Sequence, residues 1–126
     1  MKFPEELKYS KDHEWVKTSS GSSKFIGITD FAQDQLGGIV FVNLPEVGDE
    51  VVVGQPFCDV ESVKAVSDVY SPVTGKVVAI NEELLDQPEL INEQPYDAWF
   101  VEVDEITDTE ELLDATSYQA FCEQEG

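Results

Sequence analysis

Pro56-Phe57-Cys58-Asp59-Val60-Glu61-Ser62-Val63-Lys64-Ala65-Val66-Ser67-Asp68-Val69-Tyr70-Ser71-Pro72 reads as two β-runs that meet at a turn. Lys64 falls at the tip of that turn. It is the only lysine between Lys24 and Lys76, in a chain with seven lysines and no arginine. An enzyme that acylates a lysine needs the amine in a reproducible position, clear of the domain surface and among small neighbours. A hairpin tip meets that need, because its two strands fix the base while the side chain extends into water. Val63 and Ala65 supply small uncharged flanks, and Glu61 and Asp68 lie slightly back, where a modifying enzyme can read them electrostatically. The residues alone leave a second reading open, an ordinary solvated surface lysine.

Outward from the hairpin the sequence stays β-dense. Ile39-Val40-Phe41-Val42 is a continuous apolar strand that ends in the breakers of Leu44-Pro45-Glu46-Val47-Gly48-Asp49. Val51-Val52-Val53 continues the sheet, and Lys76-Val77-Val78-Ala79-Ile80 follows the turn at Pro72–Gly75. Gly38-Ile39-Val40-Phe41-Val42 and Gly75-Lys76-Val77-Val78-Ala79 form a weak internal repeat on either side of the hairpin. Short strands broken so often by Gly and Pro predict a sandwich or flattened barrel rather than an open sheet.

Upstream, His13 to Lys17 and Lys24 to Ile28 predict a β-hairpin around the polar turn Ser19-Ser20-Gly21-Ser22-Ser23. Thr29 or Asp30 can cap a short helix through Leu36, with Gly37 as its stop. Downstream, Asn81–Pro95 reads as loop with a helical turn at Glu82–Leu85. Trp99–Val103 reads as a strand, with Trp99 and Val101 on one face and Phe100 on the other. Asp108 can cap a helix over Thr109–Leu113, and Asp114 a second one carrying Tyr118, Phe121 and Cys122 on one face. Glu123 and Glu125 oppose the helix dipole there, so that end is expected to fray.

The 126 residues fit a single domain, 1–126, with a core over about 24–104 and a C-terminal helical segment over 108–124. Hydrophobic residues make up 41%, enough for a packed core despite the charge. Seven Lys+Arg against 27 Asp+Glu leave a net charge of −20, which disfavours nucleic acid and anionic membrane and favours partners with basic patches. Cys58 and Cys122 lack metal-ligand spacing and read as buried small hydrophobes in a reducing compartment. Met1–Glu6 does not read as a targeting peptide, so a cytoplasmic location is expected for a bacterial-type chain, or the mitochondrial matrix for a mature eukaryotic one.

Nothing resembles an active site. His13, the lone histidine, has no partner at metal or triad spacing and reads as structural, hydrogen-bonded near Glu14. Trp15, Trp99, Phe25 and Phe41 read as core. No phosphate-binding glycine loop is present, and the carboxylates are diffuse. That absence fits a carrier, in which the protein supplies position and a cofactor supplies reactivity.

The ordered motifs carry a resemblance. They are His13-Glu14-Trp15, Gly27-Ile28-Thr29-Asp30, Leu36-Gly37, Val42-Asn43-Leu44-Pro45, Glu61-Ser62-Val63-Lys64-Ala65, Ser67-Asp68, Ser71-Pro72, Leu90-Ile91-Asn92 and Pro95-Tyr96. Together they resemble the H-protein family of the glycine cleavage system, the lipoyl-carrying subunits. The resemblance implies a mainly β, barrel-sandwich hybrid fold like that of lipoyl and biotinyl carriers, with a short internal helix and a C-terminal helix. It implies lipoate attached to Lys64 as N6-lipoyllysine, with Glu61, Ser62, Val63, Ala65 and Asp68 read by a lipoate ligase or lipoyl transferase. It further implies a non-catalytic carrier that takes the aminomethyl group of glycine from the decarboxylase (P protein) to the aminomethyltransferase (T protein), and electrons to dihydrolipoyl dehydrogenase (L protein). An alternative role is donation of the lipoyl group to other lipoyl domains.

The resemblance further implies that the loaded arm folds into a surface cleft, expected here beside His13-Glu14-Trp15 and the helix from Asp30 to Leu36, with Glu14 either its candidate residue or an exposed surface acid. Three positions depart from the family pattern. Gly38 replaces an acid, Ala98 replaces a glycine whose turn is expected to change, and Gln35 stands near a common histidine. A biotinyl carrier would flank its lysine with methionines, whereas Met1 is the only methionine here.

Overall fold

Strand alternation and turn chemistry divide the chain between two antiparallel sheets, seen in a computed structural model that describes residues 1–19 and 21–125. The larger sheet holds β1 (Lys8–Tyr9), β2 (Glu14–Thr18), β3 (Lys24–Ile28), β5 (Glu50–Val51), β8 (Val73–Ile80) and β9 (Val101–Thr109) in the order β1-β2-β3-β9-β8-β5. The smaller holds β4 (Ile39–Asn43), β6 (Pro56–Ser62) and β7 (Val66–Tyr70) in the order β4-β6-β7. Inward residues of both meet in one core that includes Ile26, Val42, Val60, Val69, Val77, Phe100 and Val103. Two packed sheets answer the sandwich or flattened barrel that the strand pattern predicts, and the barrel-sandwich hybrid that the resemblance implies.

Both hairpins form as expected. Glu14 to Thr18 pairs with Ile28 to Lys24, and Asp59 to Glu61 with Asp68 to Val66. Ser20, part of the turn expected between β2 and β3, lies outside the described residues. The two halves of the internal repeat fall in different sheets, and their glycines serve different ends. At Gly75 a Cβ would come within 2.6 Å of Val103 Cγ1 and 2.7 Å of the Asp104 carbonyl, so only glycine lets β8 and β9 approach. Gly38 has open space, with Val63 Cγ1 3.9 Å away.

Helix α1 (Asp30–Leu36) is capped by Thr29, whose Oγ1 accepts from the Ala32 N–H at 3.2 Å. Two further turns, α2 (Glu83–Asp86) and α3 (Leu90–Glu93), bury Leu84 and Ile91. The second of these falls in a segment expected to be loop.

Four expectations are corrected. The strand begins at Val101, so Phe100 precedes the alternation and shares the main core with Val101 instead of facing away. Thr109–Leu113 is not helical: Asp108 and Thr109 extend β9 and pair with Thr74 and Val73 of β8. A five-residue helix cannot nucleate against a ladder already in place. Phe41 is 43% exposed instead of buried. The C-terminal helix α4 (Ala115–Glu125) keeps its form to Glu125, because that carboxylate is tied to His13 rather than left to repel the helix dipole.

Asp114 caps α4 as expected, its Oδ1 accepting from the Ser117 N–H at 2.8 Å. The helix covers the end of the larger sheet through a second core of Leu7, Tyr9, Trp15, Ala115, Tyr118 and Cys122. Tyr9 and Tyr118 stack there with ring centroids 4.6 Å apart and 5° between planes. Cys58 and Cys122 are both buried and unbridged. Ala98 is buried, and His13 and Glu105 are the only non-glycine residues with positive φ among those described, so the Pro95–Ala98 turn accepts alanine without strain.

Candidate functional site

The hairpin tip is built by a serine. The Ser62 N–H donates to the Ala65 carbonyl at 2.8 Å, closing the turn. Ser62 Oγ accepts from the Lys64 and Ala65 N–H groups, each at 3.1 Å, and donates to the Ala65 carbonyl at 3.2 Å. A hydroxyl that satisfies the backbone in this way holds a turn without glycine or proline. Val63, Lys64 and Ala65 are all exposed.

The tip is also tied sideways. The Val63 N–H donates to the Gly38 carbonyl at 3.0 Å, anchoring the turn to the connection between α1 and β4. The Lys64 stem does not point straight into water as the sequence suggests; it lies along Gly37. A Cβ at Gly37 would sit 3.3 Å from Lys64 Cε and 3.8 Å from Nζ. Gly37 has φ +81° and ψ −160°, a region that only glycine occupies readily.

Asn92 of α3 holds this connection in place. Its Oδ1 accepts from the Ile39 N–H at 2.8 Å, and its Nδ2 donates to the Gly37 carbonyl at 2.9 Å and to Gln33 Oε1 at 2.8 Å. Every polar atom of the side chain is therefore used to fix the backbone beside Lys64. The motif Leu90-Ile91-Asn92 does not by itself assign Asn92 a task. Its signal was a polar residue directly after the buried Ile91, too weak to name a partner.

Beside the hairpin lies a cleft of about 320 Å³. Asp12, His13 and Glu14 form one side, Phe31, Gln35 and Leu36 of α1 a second, and Val60, Ser67, Asp68 and Val69 the sheet side, with Glu125 of α4 at the margin. The cleft adjoins the His13–Glu14 segment and the short helix, the region to which the resemblance points for an arm cleft. Among the hairpin's candidate residues, Asp68 lines it. Glu61 faces solvent on β6, paired with Val66 and Phe41.

Glu14 is not a surface acid: it is 2% exposed. Ser10 Oγ donates to its Oε1 at 2.6 Å, and the Glu14 N–H donates back to that Oγ at 3.0 Å. Burial pushes the Glu14 carboxyl up to about 8, the negative charges of Asp12 and Glu110 push the same way, and the Ser10 hydrogen bond offsets part of the rise. At neutral pH Glu14 is a protonated acid able to donate a hydrogen bond.

His13 does not bond near Glu14, as expected from sequence, but reaches α4. Its Nδ1 is 2.7 Å from Tyr118 Oη and its Nε2 is 2.9 Å from Glu125 Oε2, a contact that becomes an ion pair only when His13 is protonated. Tyr118 Oη is also 2.7 Å from Thr29 Oγ1. Burial raises the Tyr118 phenol, which keeps its proton, and lowers the His13 imidazole against the opposing pull of Glu125. One polarity satisfies the whole chain. Thr29 donates to Tyr118, Tyr118 donates to Nδ1 of neutral His13, and Nε2–H donates to Glu125. The C-terminal helix is thereby coupled to the cap of α1 and to the wall of the cleft.

Among the described residues no cluster of His, Cys, Asp and Glu could hold a metal ion, and no helix is long and apolar enough to cross a membrane.

A family profile described as "Glycine cleavage H-protein" matches residues 7–125. The chain is 56% identical over 125 residues to a glycine cleavage system H protein of Lachnoclostridium phytofermentans, covering 99% of this chain and 98% of that one. It is 55% identical over 126 residues to the H protein of Oceanobacillus iheyensis, covering 98% and 99%. Among solved structures it is similar to the crystal structure of a glycine cleavage system H protein from Mycobacterium marinum, with TM-score 0.85 and 38% identity over 93% of this chain and 96% of that one. Likeness of sequence and of fold therefore coincide over nearly the whole chain, which belongs to the glycine cleavage H-protein family.

Proposed function

We propose that this chain is a non-catalytic carrier whose Lys64 bears lipoate as an amide, and that it serves the decarboxylase, the aminomethyltransferase and dihydrolipoyl dehydrogenase of the glycine cleavage system in turn. The observation that carries this reading is the exposed Lys64 on a tip fixed by Ser62, Gly38 and Asn92, beside a cleft wide enough for a folded arm. The residues present fit the group. A glycine clears the path of the lysine stem, and Phe31, Leu36, Val60 and Val69 give the cleft an apolar lining.

Attachment forms a bond between Lys64 Nζ and the carbonyl of an activated lipoyl donor such as a lipoyl adenylate. The acyl–oxygen bond of that donor breaks, AMP leaves with the electron pair, and the amine gives up a proton. When bound, the dithiolane supplies a disulfide that accepts an aminomethyl group and, once reduced, returns two electrons.

The remaining roles belong to this chain's own side chains. Ser62 and Asn92 fix the direction in which Lys64 leaves the surface. Glu14 lines the cleft with a carboxyl that burial keeps easier to protonate than an ordinary one, while Asp12, Asp68 and Glu125 favour a cationic amine there. Glu61, Ser62, Val63, Ala65 and Asp68 present the turn to the ligase or transferase.

The test is intact mass and peptide mapping of the chain made with an active lipoate ligase. A lipoyl adduct confined to Lys64 is expected. Lys64→Arg keeps the charge and the fold, with stability within about 0.5 kcal/mol of the parent, and carries no adduct. Coupled glycine cleavage that survives in Lys64→Arg would refute the proposal.

A further inference from the structure

Strand β4 does not alternate regularly. Ile39 pairs with Ser62 and Phe41 with Glu61, so Val40 is the extra residue of a β-bulge. Strict alternation would turn only one of Val40 and Phe41 outward. The bulge instead buries both Ile39 and Val42 and leaves Val40 56% and Phe41 43% exposed.

These side chains meet the hairpin. Phe41 pairs with Glu61 and Glu61 with Val66, so one row crosses all three strands of the smaller sheet on its solvent face. Val63 and Val66 are also exposed, and the Val63 N–H is bonded to the Gly38 carbonyl at the start of β4. Val40, Phe41, Val63 and Val66 thus form an apolar collar at the base of Lys64. Glu61 lies within it, and the next row, Asn43–Asp59–Asp68, edges it with acids. Nothing within the described chain covers the collar.

We infer that this bulge-built collar is the docking surface for the enzyme that acylates Lys64, which meets it with an apolar patch edged by Lys and Arg side chains. The inference rests on the lipoyl-lysine reading above and adds a recognition surface on β4, far from Lys64 in sequence. Reach selects this occupant. Lys64 Nζ stands only four methylenes from the backbone, so an active site that reaches it must cover the residues around the tip. Enzymes that work at the far end of a loaded arm can stand off from the collar. Charge selects the partner's edge: the chain carries −20, and Glu61, Asp59 and Asp68 flank the apolar residues. Val40 and Phe41 join Lys64 only through folding, so the enzyme reads an assembled sheet rather than a peptide.

The test uses the full-length unmodified chain with a bacterial lipoate–protein ligase, lipoate and ATP. Val40→Ser combined with Phe41→Ser is expected to raise KM for the protein about tenfold with kcat little changed, and to weaken equilibrium binding of the unmodified chain to the ligase by a similar factor. Val66→Ser, on the neighbouring strand, moves both in the same direction. Val47→Ser, at an exposed position in the turn at the opposite end of β4, leaves both unchanged. Near-ultraviolet circular dichroism checks that each variant keeps the parent fold. Unchanged KM and binding in the folded double variant would overturn the docking surface while leaving the lipoyl-lysine reading intact. A parent chain that is never modified would defeat that reading itself.

Discussion

Asn92 Nδ2 donates to the Gly37 carbonyl at 2.9 Å, joining two residues 55 positions apart in sequence. The bond places α3, a single helical turn, directly behind the site. It fixes the glycine along which the Lys64 stem lies, so a segment distant in sequence supports the backbone beside the lysine.

Removing that support should be felt in two ways. Asn92→Ala leaves the Ile39 N–H and the Gly37 carbonyl without their partner, at a cost of about 1–3 kcal/mol. Calorimetry should show the lowered melting temperature. Hydrogen exchange should show faster exchange at the Val63 amide, which depends on the neighbouring Gly38 carbonyl. Unchanged exchange there would mean that the tip is fixed without Asn92.

Glu14 makes stability depend on pH in a direction opposite to that of most carboxylates. Its folded value, about 8, lies above the ordinary 4.5, so the folded protein holds a proton that the unfolded chain releases. Stability is greatest below about pH 4.5 for this group and falls through the window up to about pH 8, by an amount on the order of a few kcal/mol. Glu14→Gln keeps the shape and a donor without the ionisation. Its urea midpoint should exceed that of the parent by a margin that grows from pH 5 to pH 8.5. A constant margin would mean that Glu14 is ionised throughout.

His13 gives the complementary case. Burial holds its folded value below that of free imidazole, so this group contributes stability that is present above the unfolded value and lost as pH falls from there through the lower folded value. Glu125 opposes the shift from 2.9 Å, and Asp12 adds a smaller opposing pull. Glu125→Gln should therefore lower the His13 titration midpoint further, read by NMR of the ring protons. The partly exposed pair contributes about 1 kcal/mol or less to stability, so the melting temperature should hardly move. An upward shift of the midpoint would contradict the assigned contact.

The hairpin, the cap at Thr29 and the stop at Gly37 were legible because each depends on neighbours in sequence. The cleft was legible only as a place. The burial of Glu14 brings it against Ser10 and near Tyr70 and Glu110, and sequence carries no sign that Ser10 Oγ faces it. Phe41 misled for a related reason. A run of four apolar residues says nothing about a bulge, and one inserted residue decides which of them face water. The helix expected over Thr109–Leu113 failed because its capping pattern competed with an open edge of β8, which no local signal reports. His13 and Glu125, 112 positions apart, show what is lost most completely: contacts made by the last turn of a terminal helix.

The Lys64 stem lying along Gly37 bears on how a tethered group searches space. A tether that leaves a surface freely samples a hemisphere, and its local concentration at any one site falls with the volume swept. Here the stem starts against the residue that follows Gln35 and Leu36, both lining the cleft. The first bonds of the arm are thereby pre-aimed, and the swept volume is biased toward one side. Occupancy of the cleft then becomes a matter of effective molarity, set by a glycine that contributes no atom to the contact except by having none to obstruct it.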